Sequence, residues 1–256
     1  MSGIVIIGAG QAAGQAAASL RQEGFEGTIT ILGDEDSAPY QRPPLSKQYL
    51  SGEVGVDRLL VRPEKFYVDK NIDLKTGTRV GSIAPSEKSV TTTGGDRFEY
   101  DKLLIATGSR PRILNITGSD LEGIHYLRTM GDVDGIRESM GSASRICIVG
   151  GGYIGLEVAA VARTSGLDVT VLEMEDRILQ RVTTPEMSAY YHQLHAGRGV
   201  NIMTNTTVSG FQGNGSVSAV LCGDEIIEAD LVIVGIGIIP NVELAETAGL
   251  KCENGI

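Results

Sequence analysis

The chain opens with a short run of apolar, β-branched residues at positions 4–7, followed at once by Gly8. A run of this kind is typical of a buried strand, and the Ala-rich stretch 12–20 that comes next favours a helix ending near Gly24. A second apolar run at residues 28–32 predicts another strand. Together these segments predict a β-α-β unit.

A hairpin and a further strand are predicted downstream of this unit. Residues 89–93 and 97–100 flank the sequence "GGD", which is a turn signal between two strand-like segments. Asp101 then leads into "KLLIATG", residues 102–108, which predicts a buried strand that returns to the first sheet.

The same order of elements repeats in the second half of the chain. Aligning Gly8 with Gly150 also gives Asp101 a role similar to that of Asp230, so the repeat covers most of each unit rather than one motif. We interpret it as an internal duplication of a whole dinucleotide-binding domain. The second copy is predicted to contain strand 146–149, helix 156–163, strand 169–172, a hairpin around "CGD", and the strand within "ADLVIVGIG".

This duplication predicts an α/β fold made of two Rossmann-like domains, each with a small antiparallel β insertion. The stretch between the copies is rich in Gly, Pro, Ser and Asn, which is typical of a connection. We therefore place the boundary near Arg110, with domains at residues 1–110 and 111–238.

Composition and charge narrow the class of protein. With 34 Gly, 41% hydrophobic residues and no Trp, the chain resembles a soluble α/β protein. A formal net charge of -10 argues against nucleic acid as a partner, because phosphate backbones are bound by basic surfaces. No apolar run is long enough to span a membrane, so we expect no membrane partner and a cytoplasmic location.

The cysteines and histidines carry no clear metal signal. Cys147, Cys222 and Cys252 are widely spaced, with no C-x-x-C pair and no zinc-type spacing to histidine, and we interpret them as structural thiols. His192 and His195 stand three residues apart on a predicted helix, but we assign them no chemistry, and no metal site is predicted.

The first glycine turn, "GAGQAAG", has the form of a nucleotide-binding turn. Gly8 permits a sharp turn from strand to helix, Gly10 lets the backbone approach a pyrophosphate, and Ala13 lets helix and strand pack closely. Gly33 occupies the position where a ribose-binding acid is usual, so Asp34 is our candidate. The alternatives are a merely tight turn and a solvated loop acid.

The second turn, "GGGYIG", matches the full dinucleotide fingerprint at Gly150, Gly152 and Gly155. Glu173 ends the next strand, where a carboxylate accepts both ribose hydroxyls of NAD and repels a 2'-phosphate. No Arg follows before Arg177, so NADH is favoured over NADPH. The alternative for Glu173 is an ordinary exposed acid at the end of a strand.

The loop "SAPYQRPPLSKQYL", residues 37–50, follows the first β-α-β unit. Pro43 and Pro44 fix the backbone and give a stiff presentation of Arg42 and Lys47. Taken alone, the loop is better explained as a stiff surface segment.

Together with "LLIATGSRPR", "YLRT", "GGGYIGLE" and "GIGIIPN", the segment "PYQRPPLSK" resembles the flavin-dependent ferredoxin reductases and rubredoxin reductases of bacterial oxygenase systems. The resemblance extends from Ile4 to the last residue. It implies a glutathione-reductase-like fold with FAD in the first domain and NADH in the second. It also implies that residues 239–256 begin a segment that returns to the FAD domain.

The resemblance assigns cofactor contacts residue by residue. For FAD it implies Gly8, Gly10, Ala12, Ala13, Asp34, Arg42, Lys47, Val80, Ala106, Thr107, Gly108 and Arg128. For NADH it implies Gly150, Gly152, Tyr153, Ile154, Gly155, Glu173 and Gly237.

The resemblance further implies that Lys47 and Glu157 form an ion pair facing N5 of the flavin. These are the predicted catalytic residues, and their role is electrostatic rather than nucleophilic. On the sequence alone, Glu157 is also explained as an acid favoured by the positive end of a helix dipole.

These assignments predict a flavoprotein that takes a hydride from NADH and passes single electrons to a small iron-sulfur ferredoxin or a rubredoxin. A disulfide or peroxide reductase is the main rival, but it needs a cysteine beside the flavin and residues 37–50 contain none. A nucleotide-binding fragment is the other alternative. The family that this chain resembles continues well past "LKCENGI" into a part that closes the flavin site. For the present sequence we therefore expect weak FAD retention and leakage of electrons to oxygen.

Overall fold

The computed structural model describes residues 3–256, which contain seventeen strands, six α-helices and three short 3-10 helices. The strands are β1 (Gly3–Ile7), β2 (Thr28–Leu32), β3 (Ile72–Lys75), β4 (Val80–Ala84), β5 (Ser89–Thr92), β6 (Arg97–Glu99), β7 (Lys102–Ile105), β8 (Ser109–Pro111), β9 (Ile124–Tyr126), β10 (Arg145–Val149), β11 (Asp168–Leu172), β12 (Val200–Met203), β13 (Gly210–Asn214), β14 (Ser216–Cys222), β15 (Glu225–Glu228), β16 (Leu231–Val234) and β17 (Ile238–Pro240). The helices are α1 (Gln11–Gln22), α2 (Glu64–Asp69), α3 (Met130–Met140), α4 (Tyr153–Thr164), α5 (Pro185–Ala196) and α6 (Glu243–Thr247).

The chain divides into two compact units. The first unit consists of the chain up to Arg42, Gly55–Arg110 and Ile239–Ile256, and the second consists of Pro43–Val54 and Pro111–Ile238. The domains 1–110, 111–238 and 239–256 stay a prediction, since this division assigns the short segment Pro43–Val54 to the second unit.

The first unit is built on four parallel strands in the order β3-β2-β1-β7. Because successive side chains of a strand point to opposite faces, Ile6 packs with Ala13 and Ala17 of α1 on one face. On the other face, Val5 and Ile7 belong to a cluster that also contains residues of the antiparallel insertion β4-β5-β6. The small alanines let α1 lie close to the sheet.

The second unit repeats this plan with five parallel strands in the order β12-β11-β10-β16-β9. Helix α4 packs on β10 and β11, and its residues Ala159 and Ala162 are fully buried. Its antiparallel insertion, β13-β14-β15, contributes Phe211 and Val220 to a cluster with Val232 of β16. The predicted fold class, two Rossmann-like units with antiparallel insertions, is therefore confirmed.

Matching hydrogen bonds show that the two units are copies. The N-H groups of Gly8 and Gly150 donate to Leu32 O and Leu172 O, each at 2.8 Å. The Asp101 carboxylate accepts the Gly3 N-H at 2.6 Å, at the start of the first strand in its unit. Asp230 has the same role in the second copy, where its carboxylate accepts the N-H of Arg145 at the start of β10.

Three elements differ from what the sequence pattern predicts. The prediction that "KLLIATG" forms a buried strand is wrong: β7 ends at Ile105 and is an outer strand of the described sheet, and Leu104 is 37% exposed. Within the stretch interpreted as a connection, β9 joins the second sheet beside β16. The polar helix α3 was not predicted, and it begins at a capping box between Thr129 and Asp132.

Over residues 3–256, no helix combines the length and the apolar character needed to cross a bilayer.

The hydrogen bonds of Asp230 predict that the stability of the second unit depends on pH. Its carboxylate accepts one hydrogen bond from the backbone N-H of Arg145 at 2.9 Å and another from the Arg145 guanidinium at 2.8 Å. The side-chain hydrogen bond from Arg145 lowers the pKa of Asp230. A carboxyl group with a lowered pKa stabilises the fold at neutral pH, and this stabilisation is lost as the pH falls through the folded-state pKa.

We therefore expect Asp230→Asn to lower the free energy of unfolding by about 1 kcal/mol at pH 7, and the difference from wild type to shrink on acidification. Chemical denaturation across a pH series measures this. Asp224→Asn, at the exposed turn between β14 and β15, removes the same charge and is the control. A difference that is constant from neutral to acid pH would contradict the assignment.

Candidate functional site

The first glycine turn accepts only glycine at its first position. Gly8 has φ +99°, and a Cβ there would lie 2.3 Å from Ala106 O. Gly10 is the N-cap of α1, and nothing lies within 4 Å of the point where its Cβ would be. Ala12 is exposed in the first helical turn, whereas Ala13 is fully buried against the sheet. The helix therefore begins with free N-H groups facing open space, as a bound pyrophosphate requires.

The second glycine turn has the same geometry. Gly150 has φ +110°, and its Cβ would lie 2.5 Å from Gly235 O. Gly152 is the N-cap of α4 and also has open space beside it. A Cβ on Gly155 would lie 2.1 Å from Gly150 O, so the third glycine is needed for the close approach of helix and turn.

The side chains that follow Gly152 lie at the open end of α4. Tyr153 and Ile154 are the first two residues of the helix, and both are exposed although they are large and apolar. Gly237 has φ +115° and open space beside it, and its carbonyl accepts the Arg112 N-H at 2.9 Å. The predicted NADH contacts of all three residues stay predictions.

The Glu173 carboxylate is held by two backbone groups. Its Oε2 accepts the Gly151 N-H at 2.8 Å, and its Oε1 accepts the Glu175 N-H at 3.0 Å. Because Gly151 belongs to the fingerprint itself, the acid is fixed beside the turn that would hold the pyrophosphate. This is the position that a ribose-binding carboxylate needs.

The first copy cannot hold an acid at the matching position. A Cβ on Gly33 would lie 2.3 Å from the Cβ of Ala9, which occupies the place that Gly151 has in the second copy. In the first copy the larger residue of this contacting pair, Ala9, lies in the turn, and the smaller, Gly33, follows the strand. In the second copy the smaller residue, Gly151, lies in the turn, and the larger, Glu173, follows the strand.

In the first copy, two acids follow Gly33 directly, at positions 34 and 35. Asp34 is exposed, whereas Glu35 pairs with the Arg42 guanidinium at 2.7 Å and accepts the Tyr40 hydroxyl at 2.5 Å. The Arg42 guanidinium also lies 5.1 Å from the centre of the Tyr40 ring. Arg42 is therefore held in place by its neighbours in the first unit, and Asp34 remains the candidate ribose acid.

The residues Ala106, Thr107 and Gly108 follow β7 and form the wall opposite the first glycine turn. The Ala106 carbonyl faces Gly8, as the close approach above shows. Gly108 has φ +66°, a left-handed conformation that favours glycine. Val80, by contrast, is buried in the core, and its predicted contact with the flavin stays a prediction.

The predicted ion pair between Lys47 and Glu157 is present. Lys47 Nζ lies 2.8 Å from Glu157 Oε2 and donates to Pro43 O at 3.0 Å. The same carboxylate oxygen accepts the Ser46 hydroxyl at 2.5 Å, and Ser46 is only 4% exposed. The role of the pair towards a flavin stays a prediction. Ser46 was missed, because nothing in "PPLSK" indicates that this hydroxyl is buried against an acid of the second copy.

The segment Pro43–Val54 is fixed to its unit by buried side chains. Leu45 and Tyr49 are almost fully buried, and the Tyr49 hydroxyl donates to Asp134 of α3 at 2.9 Å. Burial raises the pKa of Tyr49. The Arg137 guanidinium lies 5.8 Å from the Tyr49 ring centre. This packing places Lys47 on the same unit as Glu157.

Arg128 and Arg177 make local hydrogen bonds. The backbone N-H of Arg128 donates to the Asp132 carboxylate at 3.0 Å, just before α3 begins, and the predicted contact of Arg128 with the flavin stays a prediction. The Arg177 guanidinium donates to Ser188 Oγ at 2.7 Å and to two carbonyl groups of its own loop, those of Gln180 and Thr183. Arg177 is thus engaged within its loop, which supports the preference for NADH over NADPH.

The thiols of the chain are not poised for nucleophilic chemistry. Cys147 is fully buried in β10, and burial raises the pKa of its thiol, as it does for Cys222 and Cys252. A reactive cysteine needs a lowered pKa, because the thiolate is the nucleophile.

Comparison with known proteins gives a family and close relatives. Residues 2–256 match the pyridine nucleotide-disulphide oxidoreductase family. Rhodocoxin reductase of Rhodococcus erythropolis is 45% identical over 99% of this chain, and rubredoxin-NAD(+) reductase of Pseudomonas putida is 42% identical over 99%. A reductase chain in the crystal structure of the covalent putidaredoxin reductase-putidaredoxin complex superposes with a TM-score of 0.95 and 43% identity over the whole of this chain.

The chain spans 60% of the rhodocoxin reductase, 66% of the rubredoxin reductase and 63% of the putidaredoxin reductase chain. The family match nevertheless covers nearly all of the present sequence, including both glycine turns. The chain belongs to the pyridine nucleotide-disulphide oxidoreductase family.

Proposed function

We propose that this protein is a flavoprotein oxidoreductase that accepts a hydride from NADH and delivers single electrons to a small ferredoxin or a rubredoxin. The observation that carries this proposal is the pair of glycine turns with the same geometry, each opening a helix beside empty space. One chain with two dinucleotide sites suits an enzyme that binds a mobile electron donor and a resident cofactor.

The first unit fits FAD. Gly10 leaves room for a pyrophosphate at the start of α1, and Asp34 is exposed where the adenosine ribose would lie. Arg42, held by Glu35, adds a positive charge to the same unit. When bound, FAD supplies the step that neither NADH nor a one-electron acceptor can supply alone, namely uptake of two electrons and release of one at a time.

The second unit fits NADH. The Glu173 carboxylate accepts two backbone N-H bonds, so its orientation does not depend on the nucleotide. Its charge favours two ribose hydroxyls over a 2'-phosphate. We propose that the Lys47–Glu157 pair, oriented by Ser46, presents a fixed positive charge to the flavin rather than acting as an acid or base.

A ferredoxin or rubredoxin is favoured over a disulfide as the acceptor. The relatives described above are named as reductases of rhodocoxin, rubredoxin and putidaredoxin. The described thiols have raised pKa values, which disfavours thiol-disulfide exchange. All three cysteines are unpaired, in keeping with the cytoplasmic location that we propose.

Two matched variants test the assignment of one nucleotide to each turn. Gly10 and Gly152 have φ −84° and −79°, so a larger residue fits the backbone, and its side chain would occupy the space left for phosphate. We expect Gly10→Val to weaken FAD binding by at least about tenfold and to leave NAD+ binding unchanged, and Gly152→Val to do the reverse.

Flavin absorbance after purification with excess FAD and calorimetric titration with NAD+ measure the two sites separately. Wild-type protein that shows no two-band flavin spectrum at saturating FAD would rule out the flavoenzyme. Loss of both ligands in either single variant would contradict the assignment of separate sites.

Glu173 determines the choice between NADH and NADPH. We expect Glu173→Ala to reduce the NADH to NADPH ratio of kcat/KM for flavin reduction by about tenfold, because the variant loses the ribose bonds and the repulsion of the 2'-phosphate. Stopped-flow flavin reduction gives the ratio. Asp168→Asn is the control for the loss of a negative charge alone. Asp168 lies at the exposed start of β11, the strand that ends just before Glu173. An unchanged ratio in Glu173→Ala would exclude the ribose role.

The acceptor is tested with a panel of purified ferredoxins and a rubredoxin, using NADH as the donor. We expect Cys147→Ser and Cys147→Ala to retain at least about half of the wild-type rate, because a buried thiol with a raised pKa takes no part in the reaction. Abolished carrier reduction in both folded variants, with flavin content unchanged, would instead support a thiol-based reductase.

A further inference from the structure

The connection that follows β7 is tied to the returning segment of the first unit by reciprocal hydrogen bonds. The Thr107 hydroxyl donates to Asn241 O at 2.7 Å, and Asn241 Nδ2 donates back to Thr107 O at 2.9 Å. The Asn241 N-H also donates to Gly108 O at 3.0 Å. Three bonds therefore join two residues of one turn to a single residue more than 130 positions later.

Arg110 holds the Asn241 side chain from its other end. Its Nη1 donates to Asn241 Oδ1 at 2.8 Å, and its Nη2 pairs with Glu243 Oε1 at 2.7 Å. Because the amide oxygen accepts from Arg110, the Asn241 amide nitrogen is left facing Thr107. We call Thr107, Gly108, Arg110 and Asn241 the clasp.

The clasp adjoins the first glycine turn through Ala106. The carbonyl of Ala106 lies where a Cβ on Gly8 would be, so the turn and this connection are in direct contact. Because the two segments touch, a shift of the connection would change the space beside the turn where the phosphates would enter. The geometry of the proposed FAD site thus depends on whatever holds residues 106–108.

The second copy lacks this arrangement. Gly235 has the place of Ala106 opposite its own glycine turn, and the next residue is Ile236, which has no hydroxyl to donate. In that copy the carbonyl of Gly237 accepts a single backbone bond from Arg112. The second copy therefore forms its fold without a clasp, so the shared fold does not require these bonds.

We propose that Asn241 and Thr107 are positioning residues for FAD: they fix the wall opposite the first glycine turn and so determine how tightly the cofactor is retained. This inference rests on the proposed function, because it takes the first unit as the FAD site. Neither side chain has to touch the cofactor for this role.

The test compares FAD binding with the stability of the cofactor-free protein in four variants. Thr107→Val removes one hydroxyl bond, and Thr107→Ser retains it. Asn241→Ala removes both side-chain bonds, and Asn241→Asp keeps an acceptor for Arg110 but loses the donor to Thr107 O. Thr93→Val, at the exposed hairpin of the same unit, removes a threonine hydroxyl away from the clasp and is the matched control.

We expect the dissociation constant of FAD to rise about fivefold in Thr107→Val and more than about tenfold in Asn241→Ala. Thr107→Ser and Thr93→Val keep the wild-type value, and Asn241→Asp behaves like Asn241→Ala. Fluorescence titration gives the constants, and visible circular dichroism of the bound flavin reports its surroundings. NAD+ affinity stays constant, since that site belongs to the second unit.

The outcomes separate the two proposals. Wild-type protein that binds no FAD overturns the proposed function and this inference together. FAD affinity and flavin dichroism that stay at wild-type values in Thr107→Val and Asn241→Ala, with only the melting temperature of the cofactor-free protein lowered, overturn the inference alone. If Asn241→Ala does not fold, the comparison of Thr107→Val with Thr107→Ser decides, because it changes a single bond.

Discussion

The close contact between a glycine turn and the connection opposite it is the constraint on which both units depend. At Gly8 and at Gly150 the backbone is left-handed and a carbonyl oxygen fills the space of a Cβ. Only glycine satisfies both conditions, because other residues resist positive φ and would collide with the carbonyl. This contact brings the end of the strand, the start of the helix and the opposite wall together, and the open N-cap follows from it.

The duplication kept this contact but changed what surrounds it. In the second copy, Gly151 leaves space for Glu173 beside the turn, whereas in the first copy Ala9 fills that space and Gly33 must follow the strand. A single exchange of a large and a small residue therefore accounts for the different placement of the acids. It also explains how one fold presents two glycine turns with differently placed acids beside them.

Much of this could be predicted from the sequence, because strand-turn-helix patterns and glycine fingerprints depend on local chemistry. The fold class, the two turns and the pairing of Lys47 with Glu157 all agree with the structure. The exposure of β7 could not be predicted, since an apolar run looks the same in a central and in an outer strand. Three-residue β9 and polar α3 carry too little periodicity to be recognised.

The clasp also has a consequence for the order in which the first unit forms during synthesis. Strands β1, β2, β3 and β7 emerge early, but Asn241 emerges only after the whole second sheet has been made. Domains tend to fold as their chain becomes available, and a first sheet that forms early would have its connection after β7 unsecured until Asn241 is made. Tight uptake of a cofactor there would then mark the completion of the chain beyond Asn241, and early intermediates would bind it weakly.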